Sequence, residues 1–282
     1  MPAADAGELV PVPQGALWVR RSGPVGAPGI LLLHGFASSS HSFDRLAPLL
    51  AQDRHVVWVD LLGHGRSSRS PAAYDSERQA AAVEAALDRL GLAVPTVLGH
   101  SFGADVALAV AERRPDVRRV VIVGQAPDYA TARLPWGSSL MTRRLLGPLL
   151  HRWAPAAAVR RGSRFAFAPG VRAERVFEHP GRLVQDFRTM APALWRTVLT
   201  DRPRRLAERP LDRQLRELGR PALVLLGAQD QLYPAEPTRE RYAAVPGVRV
   251  EVLPSSGHSP VLEQPEEVAE LVRTFTTPDR SA

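Results

Sequence analysis

Ser101 stands in Gly99-His100-Ser101-Phe102-Gly103, after the apolar residues Val97-Leu98 and before Ala104. A serine between two glycines, following a strand-like run and opening a helical pattern, is a residue type suited to nucleophilic attack. The sharp turn exposes its hydroxyl, and the N–H groups at the helix start favour negative charge beside it. The same serine could instead only cap the helix, because a hydroxyl does little without a base. His258 supplies one: it lies in Ser255-Ser256-Gly257-His258-Ser259-Pro260, a turn-rich loop after the apolar run 248–253. The other histidines considered, His41, His151 and His179, read as surface or packing residues.

An acid must hold the imidazole in the right tautomer and stabilise its cation. Asp230 closes Gly227-Ala228-Gln229-Asp230 after another apolar run and gives the chain order Ser, Asp, His. It could instead cap the next turn, and Asp128, in Gly124-Gln125-Ala126-Pro127-Asp128, is the competing acid; Asp230 is preferred. His34-Gly35-Phe36 follows the run 30–33, so the backbone N–H groups of Phe36 and Phe102 could form an oxyanion hole. His34 itself reads as a residue that orients this loop.

These groups can meet only if the elements before them end on one side. Apolar runs at 30–33, 56–59, 96–98, 120–123, 222–226 and 248–253 are mostly continuous, as in parallel strands buried on both faces. Helical spacing is predicted over 42–51, 76–90, 102–113 and 266–275, the last after Pro265. The alternation predicts an α/β fold, a mostly parallel sheet flanked by helices. Residues 8–22 read as a lead-in antiparallel hairpin turning at Pro13-Gln14-Gly15.

Between 128 and 220 the alternation stops and helical patterns follow one another. This segment carries 19 arginines against 8 acidic residues, and the remainder 17 against 21, so the net charge of +7 comes from the insertion. Two domains are predicted: a core of 1–127 and 221–282, and a helical cap of 128–220 lying over the carboxyl edge of the sheet. In the cap, Trp136, Met141, Leu145, Leu146, Leu149, Leu150 and Trp153 read as packing of cap onto sheet, with some also walling an apolar pocket. The arginines, including Arg143-Arg144 and Arg160-Arg161, read as a solvated outer face, with an anionic substrate or a membrane surface as the alternative. Nucleic acid is not expected, since no binding module accompanies the charge.

Composition removes several chemistries. The chain has no cysteine, hence no disulfide framework, thiolate nucleophile or cysteine-held metal. All 36 basic residues are arginine, which excludes a Schiff-base lysine and a P-loop lysine. No apolar run approaches the ~20 residues that span a bilayer. Residues 1–8 hold two acids and no basic head, which does not read as a secretory signal; a cytoplasmic location is expected.

Together these residues resemble the α/β-hydrolase fold superfamily of esterases, lipases and epoxide-hydrolase-like proteins, over about 10–127 and 220–276. The marks are His34-Gly35-Phe36, Asp60-Leu61-Leu62-Gly63-His64-Gly65-Arg66-Ser67, the serine turn, Gly227 to Asp230, and His258 followed by Glu263-Gln264-Pro265. The resemblance implies a structural role for the stretch from Asp60 to Ser67 and for Glu263, which would fix the histidine loop. It also implies a helical cap before the strand bearing the acid. Epoxide hydrolases and haloalkane dehalogenases use aspartate where this chain has Ser101, so an acyl-enzyme path is expected. Ala104 replaces a glycine common in the family and leaves the mechanism intact. The expected function is a cofactor-free, metal-free serine hydrolase of a carboxylic ester-like bond in a small molecule with an apolar portion. The alternatives are C–C hydrolysis, a lactonase, a thioesterase or a cyclisation step, and, from another class, a non-catalytic ligand-binding protein of the fold.

Overall fold

In the computed structural model, which describes residues 6–69 and 74–277, the apolar runs form one eight-stranded sheet. The strands are β1 (Glu8–Val12), β2 (Gly15–Ser22), β3 (Gly29–Leu33), β4 (His55–Val59), β5 (Thr96–His100), β6 (Arg119–Val123), β7 (Ala222–Gly227) and β8 (Val248–Leu253). Their order is β1-β2-β4-β3-β5-β6-β7-β8. The first two pair antiparallel, with Val12 opposite Gly15 at the hairpin turn, and β2 joins β4 antiparallel. All later pairings are parallel. The reading of the N-terminus rests mainly on residues 1–5, outside those described. No helix among the described residues is long and apolar enough to cross a membrane.

Helices α1 (Leu46–Leu50), α2 (Ser76–Arg89) and α3 (Phe102–Arg113) lie in the first half. The insertion holds α4 (Leu146–Trp153), α5 (Ala156–Ser163), α6 (Ala173–Val176), α7 (Arg182–Thr189), α8 (Leu194–Arg196), α9 (Arg202–Glu208) and α10 (Leu211–Leu218), and no strand. Helices α11 (Ala235–Ala243), α12 (Pro260–Glu263) and α13 (Pro265–Thr276) follow.

Successive strand residues point to opposite faces, and both faces are covered. Leu31, Val97, Ile122 and Val224 pack with α2, α3 and α10, while Ile30, Leu98, Val121 and Leu223 pack with α1 and α13. Each fully buried Leu, Ile or Val contributes roughly 1.5–3 kcal/mol, so the central strands anchor the sheet edge from which the loops rise. Helix α3 is buried from Phe102 to Ala111. Its alanines let it lie close between the sheet and its helical neighbours.

Two expectations are corrected. The helix expected over 42–51 divides into a 3₁₀ turn, Ser40–Phe43, and α1. Ser39 caps the turn and the N–H of Ser40 donates to Asp60 Oδ1 at 2.7 Å, which bends the chain before Leu46. Strand β8 is half-exposed rather than buried on both faces, because it forms the sheet's edge. Arg249 and Glu251 pair there at 2.7 Å, and such charges discourage edge-to-edge association.

Candidate active site

Ser101 follows β5 at the first residue before α3, with φ of 52° and ψ of −115°. The surrounding glycines permit this conformation. A Cβ on Gly99 would overlap the carbonyl of Gly103, and one on Gly103 would overlap the carbonyl of Leu33. The Ser101 hydroxyl makes no capping bond to α3. It points instead to His258, with Oγ 3.0 Å from Nε2.

His258 follows β8 and its Nδ1 lies 2.9 Å from Asp230 Oδ2. Asp230 divides its oxygens between two tasks. Oδ1 accepts the N–H groups of Leu232 and Tyr233, at 2.7 and 3.0 Å, as the turn-capping alternative requires, while Oδ2 remains free for the imidazole. The competing acid is engaged elsewhere. Asp128 accepts the N–H of Ala130 and pairs with Arg241 at 2.6 Å. The structure thus brings Ser101, His258 and Asp230 together and leaves Asp128 outside.

The loop carrying His258 is fixed from below. Glu263 Oε1 accepts the N–H groups of Gly257 and Ser259, on either side of His258, at 3.0 and 3.2 Å. Its other oxygen accepts the N–H of Ala168 in the insertion at 2.8 Å. His100, within the serine turn, adds a tether that the sequence reading did not single out: Nε2–H donates to the His258 carbonyl at 2.9 Å. Burial, assisted by nearby His258, holds His100 neutral, with its pKa lowered to about 3. Only the three-dimensional meeting of β5 and β8 reveals this bond, since 158 residues separate its partners.

The residues expected to supply the oxyanion donors belong to turns that adjoin Ser101. A Cβ on Gly35 would stand 3.2 Å from Ser101 Cβ, so the turn after β3 passes directly against the serine. Phe102 is the first residue of α3, where an N–H lacks an intrahelical partner. His34 does not reach the site. Its Nδ1–H donates to the Gly35 carbonyl and its Nε2 accepts the N–H of Leu61, which ties the β3 turn to the stretch after β4. Within that stretch Asp60 accepts N–H groups of Ser40 and Arg66, and its carbonyl accepts the Ser67 hydroxyl. These residues support the turns and stay out of contact with Ser101.

Ser101 and His258 open into a cavity of about 410 Å³. Its wall is mainly apolar, including Phe36, Trp136, Met141, Phe187, Trp195 and Leu232. Among the described residues of the lining, Arg202 alone carries a permanent charge; it is buried and paired with Asp105, which it shares with Arg205. The Arg202 guanidinium grips Asp105 of α3 through two bonds, Nε at 3.0 Å, and donates to the Tyr129 hydroxyl at 2.8 Å. Sequence reasoning missed this pair, whose members are 97 residues apart.

The insertion corrects a further expectation. Trp136, Leu145, Leu149 and Trp153 do not pack onto the sheet; they are exposed, as are Leu146 and Leu150, and only Met141 is half-buried. Helix α4 rests on Gly147 and His151, its only buried residues, so its apolar stripe faces outward. Trp136 and Met141 wall the cavity as expected. Of the histidines read as surface or packing residues, His41 and His151 are buried and His179 is exposed.

A buried carboxyl joins the insertion to the core beside this cavity. Asp186 of α7 accepts the Ser39 hydroxyl at 2.9 Å through Oδ1, and its Oδ2 has no partner among the described residues. Burial pushes its pKa up to about 7; Asp60 adds to the rise, while Ser39, His41 and Arg182 oppose it. The folded chain therefore keeps a proton that the unfolded chain sheds near pH 4. This contribution to stability is complete below about pH 4 and is lost as the pH rises through about 7, a change of a few kcal/mol. Asp186→Asn keeps an acceptor for Ser39 and carries no charge. It is expected to shrink the fall in Tm between about pH 5 and pH 8 by several degrees, and an unchanged fall contradicts the assignment.

Comparison with known proteins gives a consistent set of relatives. A family model described as Alpha/beta hydrolase family matches residues 30–271. The chain is 29% identical over 282 residues to 2-hydroxymuconate semialdehyde hydrolase of Pseudomonas putida, covering 96% of this chain and 88% of that protein. It is 27% identical over 259 residues to sn-1-specific diacylglycerol lipase ABHD11 of Mus musculus, covering 88% and 80% respectively. A solved hydrolase structure from Pseudomonas aeruginosa PA01 shares the fold, with a TM-score of 0.77 at 23% identity over 96% of this chain and 98% of that chain.

Proposed function

The chain belongs to the alpha/beta hydrolase family, and from that premise we propose that it is a cofactor-free serine hydrolase of uncharged carboxylic esters. The observation that carries this reading is the relay from Ser101 Oγ to His258 Nε2 at 3.0 Å, and from His258 Nδ1 to Asp230 Oδ2 at 2.9 Å, at the floor of an apolar cavity. Residues 128–220 act as the cap over a core formed by 1–127 and 221–282.

In the first half-reaction His258 Nε2 takes the proton of Ser101 as Oγ attacks the ester carbonyl. The tetrahedral oxyanion is met by the N–H groups of Phe36 and Phe102, each worth about 3 kcal/mol of transition-state stabilisation. Collapse breaks the bond to the alkoxy oxygen, and the imidazolium returns its proton to the leaving alcohol. A water deprotonated by His258 then attacks the acyl-enzyme; collapse releases the carboxylic acid and restores Ser101. Asp230 holds Nδ1–H throughout and stabilises the transient imidazolium.

A second reading, C–C hydrolysis of a dicarbonyl compound, gains support from the likeness to the semialdehyde hydrolase. The cavity favours esters. Among the described residues its one permanently charged side chain, Arg202, is buried and bonded to Asp105, so an anionic substrate group would find no unpaired cation there. A panel of p-nitrophenyl esters, lactones, thioesters and dicarbonyl compounds separates the readings. Esters with medium apolar acyl chains are expected to show the highest kcat/KM; turnover confined to dicarbonyl compounds overturns the ester assignment.

A further inference from the structure

Nine of the eleven large hydrophobic side chains exposed among the described residues fall between 134 and 165. Single exposed leucines are ordinary, but such a concentration marks an interaction surface. Trp136 is 99% exposed, Leu145 85% and Trp153 72%. Helix α4 buries only Gly147 and His151 and leaves Leu146, Leu149 and Leu150 exposed. A large apolar face turned to solvent is the arrangement of a helix that lies in a membrane interface.

The charge of the same stretch specifies the partner. Residues 129–173 contain eight arginines and no acidic residue. Arg160 pairs with Glu174, whereas Arg143, Arg144, Arg152, Arg161 and Arg164 form no ion pair among the described residues. Exposed tryptophan and leucine interleaved with unpaired arginine match an anionic bilayer, whose headgroups take the guanidinium groups while its acyl region takes the apolar side chains. A second copy of the chain fits poorly. A two-fold contact pairs the patch with itself and would bring two acid-free, arginine-rich surfaces together. The patch also adjoins the cavity, since Leu134, Trp136 and Phe165 are exposed and line it.

We propose that the outer face of the insertion, centred on α4 and residues 134–165, docks on anionic lipid surfaces and turns the cavity mouth toward the bilayer. The arginines are exposed, as expected of a solvated face; the exposure of the leucines and tryptophans beside them favours the membrane-surface alternative. Docking is independent of the hydrolytic chemistry and is tested without it.

The test is flotation of the full chain carrying Ser101→Ala with vesicles of phosphatidylcholine alone and of phosphatidylcholine mixed with phosphatidylglycerol. Flotation is expected with the mixed vesicles, with little on phosphatidylcholine alone, and it should decline as salt is raised. Arg143→Glu with Arg144→Glu should lower binding by roughly tenfold or more, and Leu145→Ala with Trp153→Ala by several-fold. These exposed positions lie outside the cavity wall, so in the otherwise native chain the same variants should leave turnover of a soluble short ester unchanged. Absence from mixed vesicles, binding insensitive to both variants, or a dimer abolished by Trp153→Ala without vesicle binding would overturn the proposal.

Discussion

Ser101→Ala is expected to lower kcat on the best ester of the panel by about 10⁴- to 10⁶-fold, with little change in Tm. The size of the loss follows from the division of labour in the relay. Without Oγ, His258 has no nucleophile to activate, and only substrate positioning and the oxyanion donors remain. Stability should hold because the hydroxyl does not cap α3, and because the positive φ of 52° is imposed equally on serine and alanine. The opposite pattern identifies a merely structural serine: replacing an N-cap costs about 1 kcal/mol of stability and leaves turnover intact.

Asp230→Asn is expected to reduce kcat by about 10⁴-fold, the magnitude known for the equivalent change in a serine protease relay. The amide can still accept the N–H groups of Leu232 and Tyr233 through Oδ1, so the turn should persist. It presents an NH₂ group to His258 Nδ1, however, and thereby favours the tautomer whose Nε2 carries the proton and cannot accept one from Ser101. Asp128→Asn supplies the comparison. It weakens a half-exposed ion pair with Arg241, worth at most about 1 kcal/mol, and should change kcat by less than a few-fold. Steady-state kinetics on both variants distinguishes the two carboxylates; a larger loss at Asp128 would transfer the acid's role to it.

Much of this geometry is legible in the sequence because each reacting group follows a buried apolar run. Residues after β3, β5, β7 and β8 must share one edge if those strands are parallel, which brings Phe36, Ser101, Asp230 and His258 within range of one another. The same logic could not separate Asp128 from Asp230, since both follow strands. Their difference lies in the neighbours: Arg241 draws Asp128 away, and β7 stands next to β8, beside the histidine loop.

Contacts between distant segments left no mark in the linear pattern. Asp105 sits in the first turn of α3, where an acid suits the helix dipole without any partner, so nothing pointed to Arg202. Helix α4 illustrates a different limit. Its periodicity correctly announced an apolar stripe, but a stripe states only that one side is hydrophobic and does not name what covers it. The buried side turned out to be the narrow one, Gly147 and His151.

The central claim is that Ser101 carries the acyl group, and a covalent adduct tests it most directly. Treatment of the native chain with a fluorophosphonate, followed by peptide mass mapping, should find one phosphonate per chain, on the peptide containing Gly99-His100-Ser101-Phe102-Gly103. Ser101→Ala should carry none. Adduct on another residue, or undiminished labelling of Ser101→Ala, would contradict the assignment of Ser101 as the nucleophile.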